Sequence, residues 1–250
     1  MKRSILVVLT IGVFLTLGTV AMAGLSPGSG IKGTAHDMSS SGLGAAYGND
    51  VGGLDRICIY CHTPHHANSN ITDYSPLWNH NYSMVTSYQT YTNTTTGDVP
   101  GLVGMQLNAV LGQPGSVSKL CLGCHDGSVA VAAYGNFVSV NPTSHGNSGA
   151  NLQNTPYQIG AYGAPGALGN LQNHHPIGFN YKWVATLDDE IAMPDNALPN
   201  GTGMLISDVL WGGNMECSSC HDVHNTRNTG SKFTWVEDTQ SALCLTCHIK

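Results

Sequence analysis

All eight cysteines of the chain fall in four copies of one spacing, Cys-x-x-Cys-His: Cys58/Cys61/His62, Cys121/Cys124/His125, Cys217/Cys220/His221 and Cys244/Cys247/His248. Two thiols one short turn apart can add to the two vinyl groups of a single porphyrin, and a histidine directly after the second thiol lies under the bound iron. The spacing therefore predicts four covalently bound haem c groups. The eight cysteines would form the thioethers, with His62, His125, His221 and His248 as proximal ligands. A four-thiolate zinc site built from Cys217/Cys220 and Cys244/Cys247 has a compatible separation, but zinc does not call for a histidine after each pair. With 12 histidines in 250 residues, four such coincidences are improbable by roughly five orders of magnitude. A thiol-disulfide motif fails on the same ground, because nothing in that chemistry asks for four copies without a βαβ pattern.

The N-terminus has the form of an export signal. Lys2 and Arg3 precede an uncharged run from Ile5 to Val20, followed by Ala21-Met22-Ala23, so residues 1–23 read as a secretory signal cleaved after Ala23. The apolar run is short for a membrane anchor, and no transmembrane segment is expected after cleavage. No cysteine stands at the cleavage site to carry a lipid. Without Lys2 and Arg3, seven basic residues face fifteen acidic ones, a net charge of −8, which disfavours nucleic-acid binding.

Charged residues make up only 10% of the chain, Gly reaches 31 and Phe only four. Such a composition predicts a mostly irregular, loop-rich fold with short helices and few short strands, in which four haems form much of the core. Haem attachment and folding are then coupled, and the apoprotein is expected to be largely disordered. The motifs form two related pairs. Cys58-Ile-Tyr-Cys-His-Thr-Pro-His65 and Cys217-Ser-Ser-Cys-His-Asp-Val-His224 share a second histidine three residues on, and Ser118-Lys-Leu-Cys-Leu-Gly-Cys-His125 and Ser241-Ala-Leu-Cys-Leu-Thr-Cys-His248 share S-x-L-C-L-x-C-H. The pairing reads as a duplicated two-haem module within one domain, 24–250. The modules fall at about 24–135 and 216–250, and a segment at about 136–215 links them. Helices are expected at the motif turns and at the Ser118 and Ser241 approaches, where serine can cap. One or two strands are expected between Val129 and Val140, and loops from Gln153 to Asn173.

Eight further histidines are candidates for the sixth coordination positions. Histidine ligation on both faces would close the irons to substrate and hold their potentials low. A histidine three residues past the proximal one starts on the same porphyrin face and cannot reach the opposite face of its own iron. His65 and His224 are therefore expected to ligate neighbouring haems, with adjacent His66 able to replace His65. His175, set extended by Pro176, is preferred to His174. His36, His80 and His145 compete for the remaining place.

These residues give the chain a resemblance to the multihaem c-type cytochromes of metal-reducing bacteria, including extracellular tetrahaem cytochromes that polymerise into conductive filaments. The likeness runs through Gly33-Thr-Ala-His36-Asp, Pro76-Leu-Trp-Asn-His80, His175-Pro-Ile-Gly178 and the four motifs with their flanks. It implies electron transfer through closely packed bis-histidine haems, with no catalytic residues. It also implies an exported, extracellular or cell-surface location, self-association into a homopolymeric filament, and other redox cytochromes or external acceptors as partners. His36 would be a donor able to reach a neighbouring subunit, or else a ligand within the first module, and His80 is its rival in both roles. A monomeric periplasmic carrier, and a multihaem reductase or its docking subunit, are the alternatives in function.

Overall fold

Regular structure in this chain gathers at the attachment motifs and in the segment between the two pairs. The computed structural model describes residues 30–48, 55–68, 76–91, 112–135, 151–159, 168–172, 174–199, 201–226 and 232–249. Residues 1–23 and His145 lie outside them. Three motifs close on themselves through the same hydrogen bond, from the proximal histidine N–H to the carbonyl of the first cysteine. It measures 2.8 Å for His62 to Cys58, 3.1 Å for His221 to Cys217 and 2.9 Å for His248 to Cys244. The spacing Cys-x-x-Cys-His is one helical repeat, so the motif itself dictates a turn. Cys58–Tyr60 forms a 3₁₀ turn. The second motif ends the longest helix described, α1, Ser116–His125.

The linking segment is more structured than a loop. Phe179–Asn180 (β1) carries straight into Tyr181–Leu187 (α2), whose start is capped by Asn180 Oδ1 accepting from Trp183 N–H at 2.8 Å. Then follow Ile206–Val209 (α3), Asn214–Met215 (β2), Cys217–Cys220 (α4) and, after the 3₁₀ turn Thr239–Ser241, Ala242–Leu245 (α5). The strands β1 and β2 pair antiparallel, Phe179 against Met215 and Asn180 against Asn214. Phe179, Tyr181, Val184, Ala185, Ala192, Leu198, Ile206, Met215 and Val236 form the larger apolar core. Cys220, Leu243 and Cys247 pack on it. The segment between the motif pairs thus supplies the hydrophobic mass around the third and fourth motifs. A smaller cluster of Tyr88, Leu122 and Leu171 lies beside the second.

Two local expectations differ from the structure. Within the described part of 129–140, residues 129–135 form turns with two isolated bridges, Ala130 to Asn151 and Tyr134 to His80. Burial there falls on the consecutive residues Val131, Ala132 and Ala133, which no strand facing one core can produce. Serine capping also fails. The residue before α1 is Gly115, and Ser118 instead donates to the carboxylate of Glu216 at 2.5 Å. Glu216 also accepts the Gly115 N–H at 3.1 Å. A Cβ on residue 115 would meet Glu216 Oε1, so a larger residue there would push the carboxylate aside. Ser241, with φ 62°, is a left-handed kink before α5 and carries no cap. Among the described residues no helix is long and apolar enough to cross a membrane.

Candidate haem-binding centres

Three of the four motif histidines are held in a common way. His62 Nδ1 lies 2.6 Å from the Pro76 carbonyl, His125 Nδ1 2.9 Å from that of Tyr157, and His221 Nδ1 2.9 Å from that of Lys232. A carbonyl can only accept, so Nδ1 carries a proton, and in the neutral ring the lone pair is left on Nε2. That tautomer is the one an Nε2 metal ligand needs, and the hydrogen bond fixes the ring and raises its basicity. The backbone of His248 bridges to Ile191.

Three of these histidines face a second one. The ring centroids of His62 and His224 are 6.0 Å apart, those of His125 and His36 6.0 Å, and those of His248 and His175 6.3 Å. Metal–imidazole nitrogen bonds of about 2 Å put the centroids of two trans imidazoles roughly 6 Å apart. The pairs therefore fit a bis-imidazole iron, for any angle between the ring planes. Among the described residues no three His, Cys, Asp or Glu side chains converge as a metal site, so the donor geometry is pairwise.

His36 lies beside His125 of the second motif. Its ring stacks on Phe233, with centroids 4.7 Å apart, and its Nδ1 is sealed from solvent without a hydrogen-bond partner. Burial, aided by His125, His221 and His224, pulls it down to about 4, keeping it neutral, the form that ligates. His175 rather than His174 faces a proximal histidine. His65 and His66 are exposed and make no ring contact among the described residues. His80 is fully buried; Nδ1 lies 2.6 Å from the Asn81 carbonyl, and Nε2 lies 3.1 Å from that of Ala130 and 3.3 Å from Cys124 Sγ. No described histidine faces His221 as the other three proximal rings are faced.

Thiols of successive motifs adjoin one another. Cys61 is pushed up to about 12 by burial, with Cys124 contributing, and burial raises Cys124 to about 12. Cys121 and Cys217 share a hydrogen bond that raises the first and lowers the second. Cys220 is pushed up to about 11 by burial and then by Cys247. Most sulfurs thus sit in buried surroundings that favour the uncharged form, as a thioether is.

Buried polar residues absent from the sequence-based site also shape the centres. Asp126 accepts from the hydroxyls of Ser83 and of Tyr88 (2.7 Å) and from Ser128 N–H (2.8 Å). Asp222 holds the turn that carries His224. Their signal was present in the repeated His-Asp of the second and third motifs.

Residues 212–250 match the family model of the doubled CXXCH motif. The match covers the third and fourth attachment motifs, and the chain matches no curated protein. The C-terminal pair is a module of the multihaem c-type cytochrome kind. The motif indicates covalently bound haem c, and with it a role in haem-based electron transfer.

Proposed function

We propose that the protein carries electrons through four covalent haem c groups, one on each motif, with His62, His125, His221 and His248 as proximal ligands. The observation that carries this reading is the set of three histidine pairs. Accordingly, His224 is the sixth ligand of the first haem, His36 of the second and His175 of the fourth. The third haem, on His221, draws on His80, His145, His65 or His66, of this chain or of a neighbouring copy. Each group supplies a one-electron iron couple when bound. The chain's own residues hold the rings, place the proton of the neutral imidazole on Nδ1, and set thiols of successive motifs within electrostatic reach of one another, Cys61 of Cys124, Cys121 of Cys217 and Cys220 of Cys247.

An iron ligated by histidine on both faces has no open position, which supports electron transfer rather than substrate conversion. The export signal supports a location outside the inner membrane, and the resemblance supports an extracellular filament of identical subunits delivering electrons to external acceptors or other cytochromes. A head-to-tail contact that does not close would generate such a polymer. Electron cryo-microscopy of material sheared from cells, together with haem quantification of the purified protein, tests both parts. Filaments with four haems per subunit and these ligand pairs are expected. Discrete monomers would remove the polymer, and fewer than four haems would remove the tetrahaem reading.

A further inference from the structure

The turn that follows the third motif reaches back to both centres of the first pair. Asp222 is 4% exposed, and its carboxylate accepts from His224 N–H at 3.2 Å, Thr226 N–H at 2.7 Å and Thr226 Oγ1 at 2.6 Å. Its own N–H donates to the Phe233 carbonyl at 2.6 Å, and its carbonyl accepts from Asn225 N–H at 2.9 Å. All of these bonds fold residues 222–226 into one conformation. His224, exposed and on the outside of that turn, is delivered to His62.

Asn225 extends the same turn to the N-terminal segment. Its φ of 52° is left-handed, which asparagine tolerates better than most residues. Its side-chain amide donates to the Gly30 carbonyl at 2.9 Å, and its own carbonyl accepts from Gly30 N–H at 3.1 Å. Beyond Gly30 the chain turns at once. Thr34 Oγ1 donates to the Ile31 carbonyl at 2.6 Å, and Asp37 accepts from Gly33 N–H at 2.7 Å. That turn carries His36 to His125.

We infer that Asp222 and Asn225 are positioning residues through which the second motif pair completes the haem sites of the first. Asp222 acts through His224 on the haem of Cys58/Cys61, and Asn225 acts through Gly30 and His36 on the haem of Cys121/Cys124. The inference rests on the ligand pairs proposed above. It means that the first pair is not a self-sufficient unit, because the sixth ligand of its first haem and the anchor for that of its second come from beyond the third motif.

Haem-loaded full-length variants test it, read by haem content, the high-spin ferric resonance, and carbon monoxide binding after reduction. His224→Ala is expected to convert about one haem in four to a high-spin, carbon monoxide-binding form. Asp222→Ala is expected to do the same to a substantial fraction of that haem, and Asp222→Asn, which keeps one acceptor oxygen, to a smaller fraction. Asn225→Gly keeps the left-handed backbone and its carbonyl bond to Gly30 N–H but removes the side-chain half of the clamp, the amide bond to the Gly30 carbonyl. It should loosen a different haem, so that with His224→Ala about two haems in four respond. If Asp222→Ala loses haem altogether, Asp222→Asn and Asn225→Gly still decide. Wholly low-spin, unreactive Asp222→Asn and Asn225→Gly proteins beside a responsive His224→Ala would overturn the positioning role alone. An unresponsive His224→Ala would overturn the ligand pairing and this inference with it.

Discussion

Ser118 Oγ donates to the buried carboxylate of Glu216 and at the same time accepts the N–H of Cys217 at 2.9 Å. One hydroxyl thereby ties the helix of the second motif to the turn of the third, where Cys121 and Cys217 meet. Ser118 is fully buried, so Ser118→Ala leaves an acceptor and a donor without their partner. It should cost about 1–3 kcal/mol. Denaturant titration of the haem-loaded protein would measure this, with an unchanged midpoint counting against the tie.

The same carboxylate gives the fold a pH dependence of definite sign. Burial raises Glu216 above its ordinary value of 4.5, against the hydrogen bonds from Ser118 and Gly115 and the charge of Lys119. Between the unfolded and folded values the native state binds more protons than the unfolded one, so stability falls as pH rises through that window. The contribution is complete below 4.5 and lost above the folded value. Thermal melts across this range should slope downward for the native sequence and lie flatter for Glu216→Gln.

Ile206 is fully buried and borders a cavity of about 30 Å³ shared with Met215, Cys220, Trp235 and Cys247. Ile206→Ala enlarges that space next to the third and fourth motifs. A loss of about 2–5 kcal/mol is expected. Retained haem content with a lowered unfolding midpoint would place the effect in packing; a cost below about 1 kcal/mol would mean that the site collapses around the smaller residue.

Exchange of an axial histidine for methionine raises a haem's potential. His36→Met should therefore shift about a quarter of the reductive titration upward while the iron stays low-spin. Spectroelectrochemical titration reads the shift, and an unmoved curve would show that His36 does not touch an iron.

The attachment turns were legible because Cys-x-x-Cys-His fixes both chemistry and geometry at one helical repeat. The irregular architecture followed from few large apolar residues and many glycines. Helix α2 and the β1–β2 pair escaped notice because two-residue strands leave no alternation to read. Val129 to Ala133 has the apolar composition of a strand, yet Gly127 with φ 79° precedes a series of turns that bury consecutive residues. Surplus histidines could be named but not paired, since pairing depends on contacts such as Asn225 with Gly30, far apart in sequence. Glu216 gave no local sign of its role; its partners lie before the second motif.

The carbonyls that receive His62, His125 and His221 belong to Pro76, Tyr157 and Lys232, three residues with nothing chemical in common. A main-chain oxygen is offered by every amino acid, so the identity of the residue behind it is free to drift while the ring stays oriented. Selection on these stretches acts on the path of the chain rather than on its letters. A substitution at any of these three positions would leave the ring oriented so long as the chain keeps its path there.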